Sequence, residues 1–221
     1  MRARVLLSFS APFALGLVVG GCAVAPPDCD YSVQPIDGVP AAASLPQTGQ
    51  KAPIPAGYIG FCLRYSEQCE LPKNAAKTLA LTGDTWALLN RINRDTNNTI
   101  IYEEDEPHYG IADYWTIASD GYGDCEDFAL TKRKALLDAG LPAGALRIAV
   151  VLTEVRERHA ILTVATDHGD FVLDSLSDEV RPWTASNYVW LERQDPQERW
   201  AWDRLNEDTT GGQAVAAGRA K

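Results

Sequence analysis

Basic side chains are scarce in this sequence relative to acidic ones. The 221 residues contain 20 Lys and Arg against 30 Asp and Glu, which gives a formal net charge of −10. A protein that neutralises nucleic-acid phosphates needs a basic face, so this balance argues against a nucleic-acid partner. With 46% hydrophobic and 23% charged residues, the composition is typical of a globular protein of one domain.

Long apolar stretches are absent after the first 25 residues. Two arginines precede an apolar run over residues 5–20, which is shorter than a membrane-spanning helix and typical of a signal-peptide core. We predict that residues 1–25 are a signal peptide and that the protein reaches the periplasm or cell envelope. The segment Val19-Gly20-Gly21-Cys22 resembles a lipobox, so lipidation of Cys22 would be its only attachment to a membrane; the alternative is cleavage after Ala25.

Cysteines are few, and export changes their meaning because an oxidising compartment permits disulfides. Cys62 and Cys69 lie in one short segment and are predicted to form a disulfide. A metal pair is the alternative, but no histidine lies nearby and the spacing is not C-x-x-C. Cys29, which lies in a proline-rich stretch, is then the only possible disulfide partner left for Cys125. An unpaired cysteine in an exported chain invites a chemical explanation.

The rest of the chain divides into three parts. Residues 26–57 are rich in proline, alanine and glycine and are predicted to be a linker. Residues 58–205 form the predicted domain, and residues 206–221 a disordered tail.

Two helices are predicted at the start of the domain. Thr82 or Asp84 caps a helix that runs to about Thr96, with Trp86, Leu89 and Ile92 in the core and Asn93 on the same stripe but outside it. A second helix follows the Gly121-Tyr-Gly123 turn, with Asp124 as N-cap, and stops at Gly140. Its buried face carries Cys125, Phe128, Ala129, Lys132, Leu136 and Ala139.

Strands dominate the second half of the domain. Branched and apolar residues predict strands over 146–153, 159–166, 171–174 and 188–192, with a hairpin turn at 167–170. Helices first and antiparallel strands afterwards indicate an α+β domain.

Histidine is scarce as well, and this narrows the search for a catalytic base. A cysteine in the first turn of a helix is placed where backbone N–H groups stabilise a thiolate. Of the three histidines, His108 lies in an acidic loop and His168 in the hairpin turn, whereas His159 begins an apolar strand. Asp174 ends the next strand. The order Cys125, His159, Asp174 therefore predicts a catalytic triad.

The same residues resemble a known family. Gly-Tyr-Gly-Asp-Cys-Glu-Asp-Phe-Ala-Leu over 121–130, with the segments 158–164 and 170–176, is similar to the bacterial transglutaminase-like cysteine peptidases, which include the LapG-type periplasmic adhesin proteases. The resemblance implies a papain-like fold, with N-terminal helices packed on an antiparallel sheet. It implies Cys125 as nucleophile, His159 as base and Asp174 as the residue that orients it.

The resemblance also implies a cofactor and partners. LapG-type relatives imply calcium held by Asp124, Glu126 and Asp127, and no organic cofactor is expected. Three acids around one reactive cysteine also favour a bound cation on electrostatic grounds, for which Asp113 or Asp120 could supply further oxygen ligands. The same relatives imply a large surface adhesin as the protein substrate and a membrane-bound regulator. Arg158 departs from the small residue expected directly before the histidine, and a long side chain there would narrow the cleft.

Two alternatives to an exported cysteine peptidase are kept. The same triad could pass the acyl group to an amine, as transglutaminases do, or the domain could be a non-catalytic binding module of the envelope.

One geometric conflict remains, because a turn centred on His168-Gly169 pairs Thr163 with Asp174 and leaves His159 about four residues away. The family resemblance favours the triad over this register.

Overall fold

Strands from both ends of the domain meet in one antiparallel sheet. The computed structural model describes residues 36–205, all of which fall within one compact unit. Its main sheet has the strand order β1-β9-β8-β4-β5-β6-β7. These strands are β1 (Lys51–Ala52), β4 (Leu146–Leu152), β5 (Arg158–Thr166), β6 (Gly169–Asp174), β7 (Ser177–Pro182), β8 (Val189–Gln194) and β9 (Trp202–Arg204). A small parallel pair, β2 (Ile101–Tyr102) and β3 (Tyr122–Gly123), lies outside this sheet.

Helices cover one face of the sheet. They are α1 (Ala56–Arg64), α2 (Gly83–Thr99), α3 (Asp105–Tyr109) and α4 (Cys125–Asp138), with 3-10 turns at Ser66–Cys69, Ala143–Ala145 and Trp183–Ala185. The core between helices and sheet includes Leu89 of α2, Leu136 of α4 and Ile148, Leu162 and Phe171 of the strands. The α+β prediction of helices on an antiparallel sheet is confirmed.

The predicted helices form, with one difference in the core of α2. Thr82 is the N-cap of α2 and its hydroxyl accepts a hydrogen bond from the Thr85 backbone N–H. Leu89 is fully buried, but so is Asn93, which was expected outside the core. Its side-chain amide donates to the Ser177 carbonyl at 2.7 Å, so hydrogen bonding rather than hydrophobicity explains its burial.

The predicted linker is packed against the domain from residue 36 onward, with Ile36, Val39 and Ala42 against the core on the helix side and Leu45 on the opposite face of the sheet. Leu45 is 5% exposed and packs with Val151 and Trp190. The Asp170 backbone N–H donates to the Ala43 carbonyl at 2.9 Å. Apolar side chains and backbone pairing hold this segment despite its prolines, because the back face of the sheet would otherwise be uncovered.

Some predicted segments lie outside the described residues. The signal peptide with Cys22, the first part of the linker with Cys29, and the tail from residue 206 belong to them. Among residues 36–205, no helix is both long and apolar enough to cross a membrane.

Cys62 of α1 and Cys69 of the following 3-10 turn lie next to each other in the core. Their Cα atoms are 5.6 Å apart with the sulfurs bonded, and both side chains are almost fully buried. This separation is in the normal range for a disulfide. The bond would join the C-terminal end of α1 to the 3-10 turn over a short loop.

We predict that the folded protein contains this disulfide. Replacing both cysteines by serine should lower the free energy of unfolding by about 2–3 kcal/mol, since the unfolded chain regains the freedom of the loop. Intact-mass measurement after alkylation under non-reducing, folded conditions checks the bond. Modification of Cys62 and Cys69 as readily as Cys125 would contradict it.

Candidate active site

The start of α4 depends on two glycines before it. Gly121 has φ +89°, a left-handed conformation that glycine adopts without strain. At Gly123, a Cβ atom would lie 2.6 Å from the Cβ of Asp127, so a larger residue would displace the first turn of α4. Together they set the position at which Cys125 begins the helix.

Cys125 is held between the helix and the sheet. Its Sγ accepts a hydrogen bond from the Ala160 backbone N–H of β5 at 3.3 Å and lies 3.1 Å from Glu126 Oε2, to which the thiol donates. The contact with Ala160 places the sulfur against the backbone of β5, one residue along the chain from His159. Burial, followed by the charges of Glu126 and Asp124, raises the pKa of the Cys125 thiol well above its ordinary value.

His159 and Asp174 are brought together by the sheet. His159 Nε2 lies 2.7 Å from Asp174 Oδ1, and both side chains are buried. The predicted conflict of register disappears because Thr166 pairs with Gly169, so the turn is centred one residue earlier than expected. Leu173 pairs with Leu162, so the residue opposite Asp174 is Ile161. His159 lies two residues from Ile161 along β5 and is therefore a diagonal neighbour of Asp174.

Tyr188 is a third partner of this pair that the sequence did not single out. Its hydroxyl donates to Asp174 Oδ2 at 2.6 Å, and its ring lies edge-on to the His159 ring at 6.0 Å between centroids. The Leu176 backbone N–H donates to Asp174 Oδ1 at 3.0 Å. Burial alone would raise the pKa of Asp174, but the hydrogen bonds from His159, Leu176 and Tyr188 outweigh it and lower the pKa. Asp174 is therefore ionised and fixed in position.

A cluster of carboxylates surrounds the nucleophile on its other side. Ligand-capable oxygens of Asp105, Asp113 and Glu126 lie within 4.8 Å of one another, as do those of Asp105, Asp124 and Asp127. Asp124 Oδ1, Asp127 Oδ2 and Asp105 Oδ1 are buried without a hydrogen-bond partner among the described residues. Burial is the largest cause that raises the pKa of each of these three carboxyls, for Asp127 to about 8.

The donor set fits a hard divalent cation. All of its side-chain ligands are carboxylate oxygens, which calcium prefers, and three buried oxygens have no protein partner. The expected residues Asp124, Glu126 and Asp127 are in the cluster, and so is Asp113. Asp105 was missed by the sequence analysis because it is distant in sequence and begins the short helix α3.

The structure also places three other residues that the sequence singled out, Asp124, Asp120 and Arg158. Asp124 is the N-cap of α4, yet its side chain makes no capping hydrogen bond. Asp120 lies 3.0 Å from His108 Nε2, so it pairs with that histidine and is absent from the described carboxylate clusters. The guanidinium of Arg158 binds Glu192 at 3.2 Å, which ties this exposed side chain to β8.

These features define a class of protein. A cysteine at the N-terminus of a helix, beside a buried histidine–aspartate pair on an antiparallel sheet, is the arrangement of the papain-like thiol enzymes. The chain belongs to the bacterial transglutaminase-like cysteine proteinase (BTLCP) family, whose model matches residues 48–210. The family resemblance is thereby confirmed, and the protein is a cysteine peptidase.

Solved structures of LapG from Legionella pneumophila are similar to this chain. One is 27% identical, covers 52% of this chain and 67% of that chain, and has a TM-score of 0.45. A structure described as calcium-bound is 26% identical, covers 63% and 77% of the two chains and has a TM-score of 0.47. One described as EGTA-treated is 27% identical, covers 52% and 66%, and has a TM-score of 0.45. No curated protein matches the chain significantly.

The charge of Glu126 gives a prediction about the thiol. Replacing Glu126 by glutamine removes a negative charge 3.1 Å from Cys125 Sγ, so the pKa of Cys125 should fall in metal-free protein. The pH dependence of alkylation of Cys125 by iodoacetamide measures this. Glu67→Gln, at an exposed glutamate of the 3-10 turn before Cys69, is the control and should leave the profile unchanged. A profile for Glu126→Gln equal to that of wild type would contradict the electrostatic argument.

Proposed function

We propose that this cysteine peptidase is exported and cleaves a protein of the cell envelope or surface with the triad Cys125, His159 and Asp174. The observation that carries the proposal is the 2.7 Å bond between His159 and Asp174, on the strand whose Ala160 backbone N–H contacts the sulfur of Cys125. Three observations support the proposal. Cys125 is the first residue of a helix, an ionised aspartate, Asp174, is hydrogen-bonded to the imidazole of His159, and the chain belongs to a peptidase family.

The proposed reaction passes through a thioester. His159 takes the proton of the Cys125 thiol as the sulfur attacks the peptide carbonyl, and the C–N bond breaks as the resulting imidazolium gives this proton to the leaving amine. Because Nε2 is bound to Asp174, Nδ1 is the ring nitrogen left for this transfer. Water then attacks the thioester as His159 takes its proton, the C–S bond breaks, the sulfur regains a proton from His159, and the acid product leaves. The backbone N–H of Cys125, at the start of α4, is the proposed oxyanion donor.

We propose calcium as the resident cation of the carboxylate cluster. Asp105, Asp124 and Glu126 would hold it, with Asp113 and Asp127 completing the set. A bound divalent cation supplies positive charge that neutralises these acids and so lowers the pKa of the Cys125 thiol. Without such charge the thiol remains protonated, since burial and two neighbouring carboxyls oppose its ionisation.

The location and partners are proposed from the sequence and the family. The apolar run over residues 5–20 supports export, and Cys22 supports a lipid anchor in the envelope. A large surface adhesin as substrate and a membrane-bound regulator follow from the resemblance to LapG-type proteases. A comparison of the surface proteins of cells with wild-type enzyme and with the Cys125→Ala variant tests the substrate.

Cys125→Ala and His159→Ala should both abolish release of cleaved surface protein. The alanine at position 125 keeps the helix start intact, so its melting temperature should stay within about 3 °C of wild type. Loss of His159 leaves a thiol with no base and no proton donor for the leaving amine. Retained cleavage by Cys125→Ala would sink the proposal, and a much lower melting temperature would assign the cysteine a structural role.

Calcium should stabilise the protein more at higher pH. Folding raises the pKa of the clustered carboxyls, for Asp127 from 3.8 to about 8, so metal-free folded protein binds more protons than unfolded protein in this window. The free energy of unfolding therefore falls as pH rises through the window, and calcium, which binds the ionised form, offsets the fall. We expect saturating calcium to raise the melting temperature by about 5 °C or more at pH 8, and less at pH 5.

Matched variants distinguish calcium binding at the carboxylate cluster from a general effect of calcium on surface acids. Asp124→Asn with Asp105→Asn should remove the effect of calcium on both melting and activity, whereas Asp120→Asn, at the partner of His108, should retain it. Melting curves and cleavage assays with EGTA or with added calcium measure both properties. Equal curves with EGTA and calcium for the wild type would leave the cluster without a metal.

A further inference from the structure

Two turns of the main sheet lie at the end that carries the His159–Asp174 pair. Residues 153–157 join β4 to β5, and residues 175–176 join β6 to β7. Because each of these strands is antiparallel to its neighbour, both turns lie at the end of the sheet where His159 and Asp174 meet. The sulfur of the nucleophile contacts β5 at this same end.

Each of these turns exposes a large apolar side chain to solvent. Val155 is 73% exposed and Leu176 is 66% exposed, whereas the other residues of the two turns are polar or charged. Tight turns favour glycine, proline, asparagine, aspartate and serine, so turn geometry explains neither the valine nor the leucine. Packing does not explain them either, since most of their surface remains in water.

Hydrogen bonds join both turns to the carboxylate of the triad. The Leu176 backbone N–H donates to Asp174 Oδ1 at 3.0 Å. Glu154, in the other turn, accepts a hydrogen bond from the Asn187 side-chain amide at 2.8 Å. Asn187 is followed by Tyr188, whose hydroxyl donates to Asp174. The two exposed apolar side chains therefore belong to turns that are connected to Asp174 by one or two hydrogen bonds.

A third exposed apolar residue lies beside the nucleophile. Tyr102 of β2 is 64% exposed and pairs with Gly123, two residues before Cys125. The N–H groups of the residues on either side of Tyr102 bind carbonyls of the segment that leads to Cys125, at 2.8 and 3.0 Å. Paired residues have their side chains on the same face, and a Cβ at Gly123 would meet Asp127. The Tyr102 side chain is therefore on the face of the first turn of α4.

The C-terminal end of α2 connects the two parts of this surface. Asn97, in its last turn, donates to the Asp174 carbonyl at 3.0 Å, and β2 begins two residues after α2 ends. Single exposed apolar residues are normal on a protein surface, but three around one reactive centre indicate a binding site. We call Tyr102, Val155 and Leu176 the apolar rim.

We propose that the apolar rim binds apolar side chains of the protein substrate next to the bond that Cys125 cleaves. This inference deepens the proposed function, on which it rests, by naming the substrate class. Because the sulfur lies between α4 and β5, an extended chain reaches it more readily than a folded surface does. The substrate is therefore an extended segment with apolar residues near the cleaved bond, whose contact with the rim removes apolar surface from water.

Two maleimides that differ only in an apolar group test the rim without a known substrate. N-phenylmaleimide and N-methylmaleimide both alkylate thiols, and mass spectrometry of the Cys125 peptide gives the rate constant of each. Relative to the same two reactions with glutathione, the wild-type protein should favour the phenyl reagent about three- to tenfold, because its ring contacts the rim. Tyr102→Ser and Leu176→Ser should each reduce this preference, and their combination with Val155→Ser should abolish it.

Matched variants keep this measurement specific. Leu63→Ser changes a leucine of α1 that is 75% exposed, and it should leave the preference at the wild-type value. Tyr102→Phe keeps an apolar ring and should retain the preference as well. Because all of these side chains are exposed, the melting temperatures should stay within about 3 °C of wild type. The rate constant for N-methylmaleimide should not change.

Cleavage in cells gives the second readout. Tyr102→Ser combined with Leu176→Ser should slow the release of cleaved surface protein, whereas Leu63→Ser should not. A wild-type protein without preference for the phenyl reagent, or rim variants that retain the preference, would overturn the proposal. Slower release with an unchanged preference would assign the rim to a partner other than the substrate and would overturn it too. If Cys125→Ala retains cleavage, the proposed function fails, while the maleimide rates still decide whether the rim binds apolar groups beside Cys125.

Discussion

The electrostatic conflict at the start of α4 governs the rest of this site. In the proposed mechanism, a half-buried thiol has to ionise next to carboxyls that also resist ionisation, because desolvation disfavours every negative charge there. A helix N-terminus and one backbone N–H from Ala160 favour the thiolate, but an exposed helix end is worth only about 0.3–1 kcal/mol. Two glycines and the hydrogen bond from the Thr116 N–H to Asp127 nevertheless fix the acids close to the sulfur. The fold thus maintains an arrangement that is favourable only when positive charge is added.

The sheet has a different role, which is to bring the proposed base, His159, and its carboxylate partner, Asp174, into contact. His159 and Asp174 occupy diagonal positions on neighbouring strands, where the separation of side chains suits a direct hydrogen bond. Tyr188 reaches the same carboxylate from the loop before β8, and the segment around Leu45 covers the sheet face that these strands share. The residues nearest the triad therefore come from parts of the chain that are far apart in sequence.

Local sequence patterns determine which elements and site residues could be predicted. Period and capping located α2, α4 and the central strands, because these elements bury a regular stripe or alternate in polarity. The order of Cys125, His159 and Asp174 indicated the triad, but the register of β5 with β6 required the exact turn, and an error of one residue in its centre displaced the pairing by two. Asp105 and Tyr188 carry no local signal, since each joins the site only through tertiary packing. The contacts of residues 36–50 with the domain could not be predicted, because proline content indicates irregular backbone and says nothing about where single apolar side chains such as Leu45 pack.

The acids around Cys125 and Lys132 of α4 share one physical property, which is that each adds an ionisable group where burial disfavours its charge. Acids in the first turn of a helix usually stabilise it as caps, yet the Asp124 side chain makes no capping hydrogen bond. Glu126 accepts a hydrogen bond from the Cys125 thiol, and Asp127 accepts one from the Thr116 backbone N–H, which lies outside the helix. Lys132 likewise adds a buried charge where an apolar side chain would be more stable. Because α4 carries these unfavourable charges, the helix is better explained by the chemistry at its N-terminus than by its own stability.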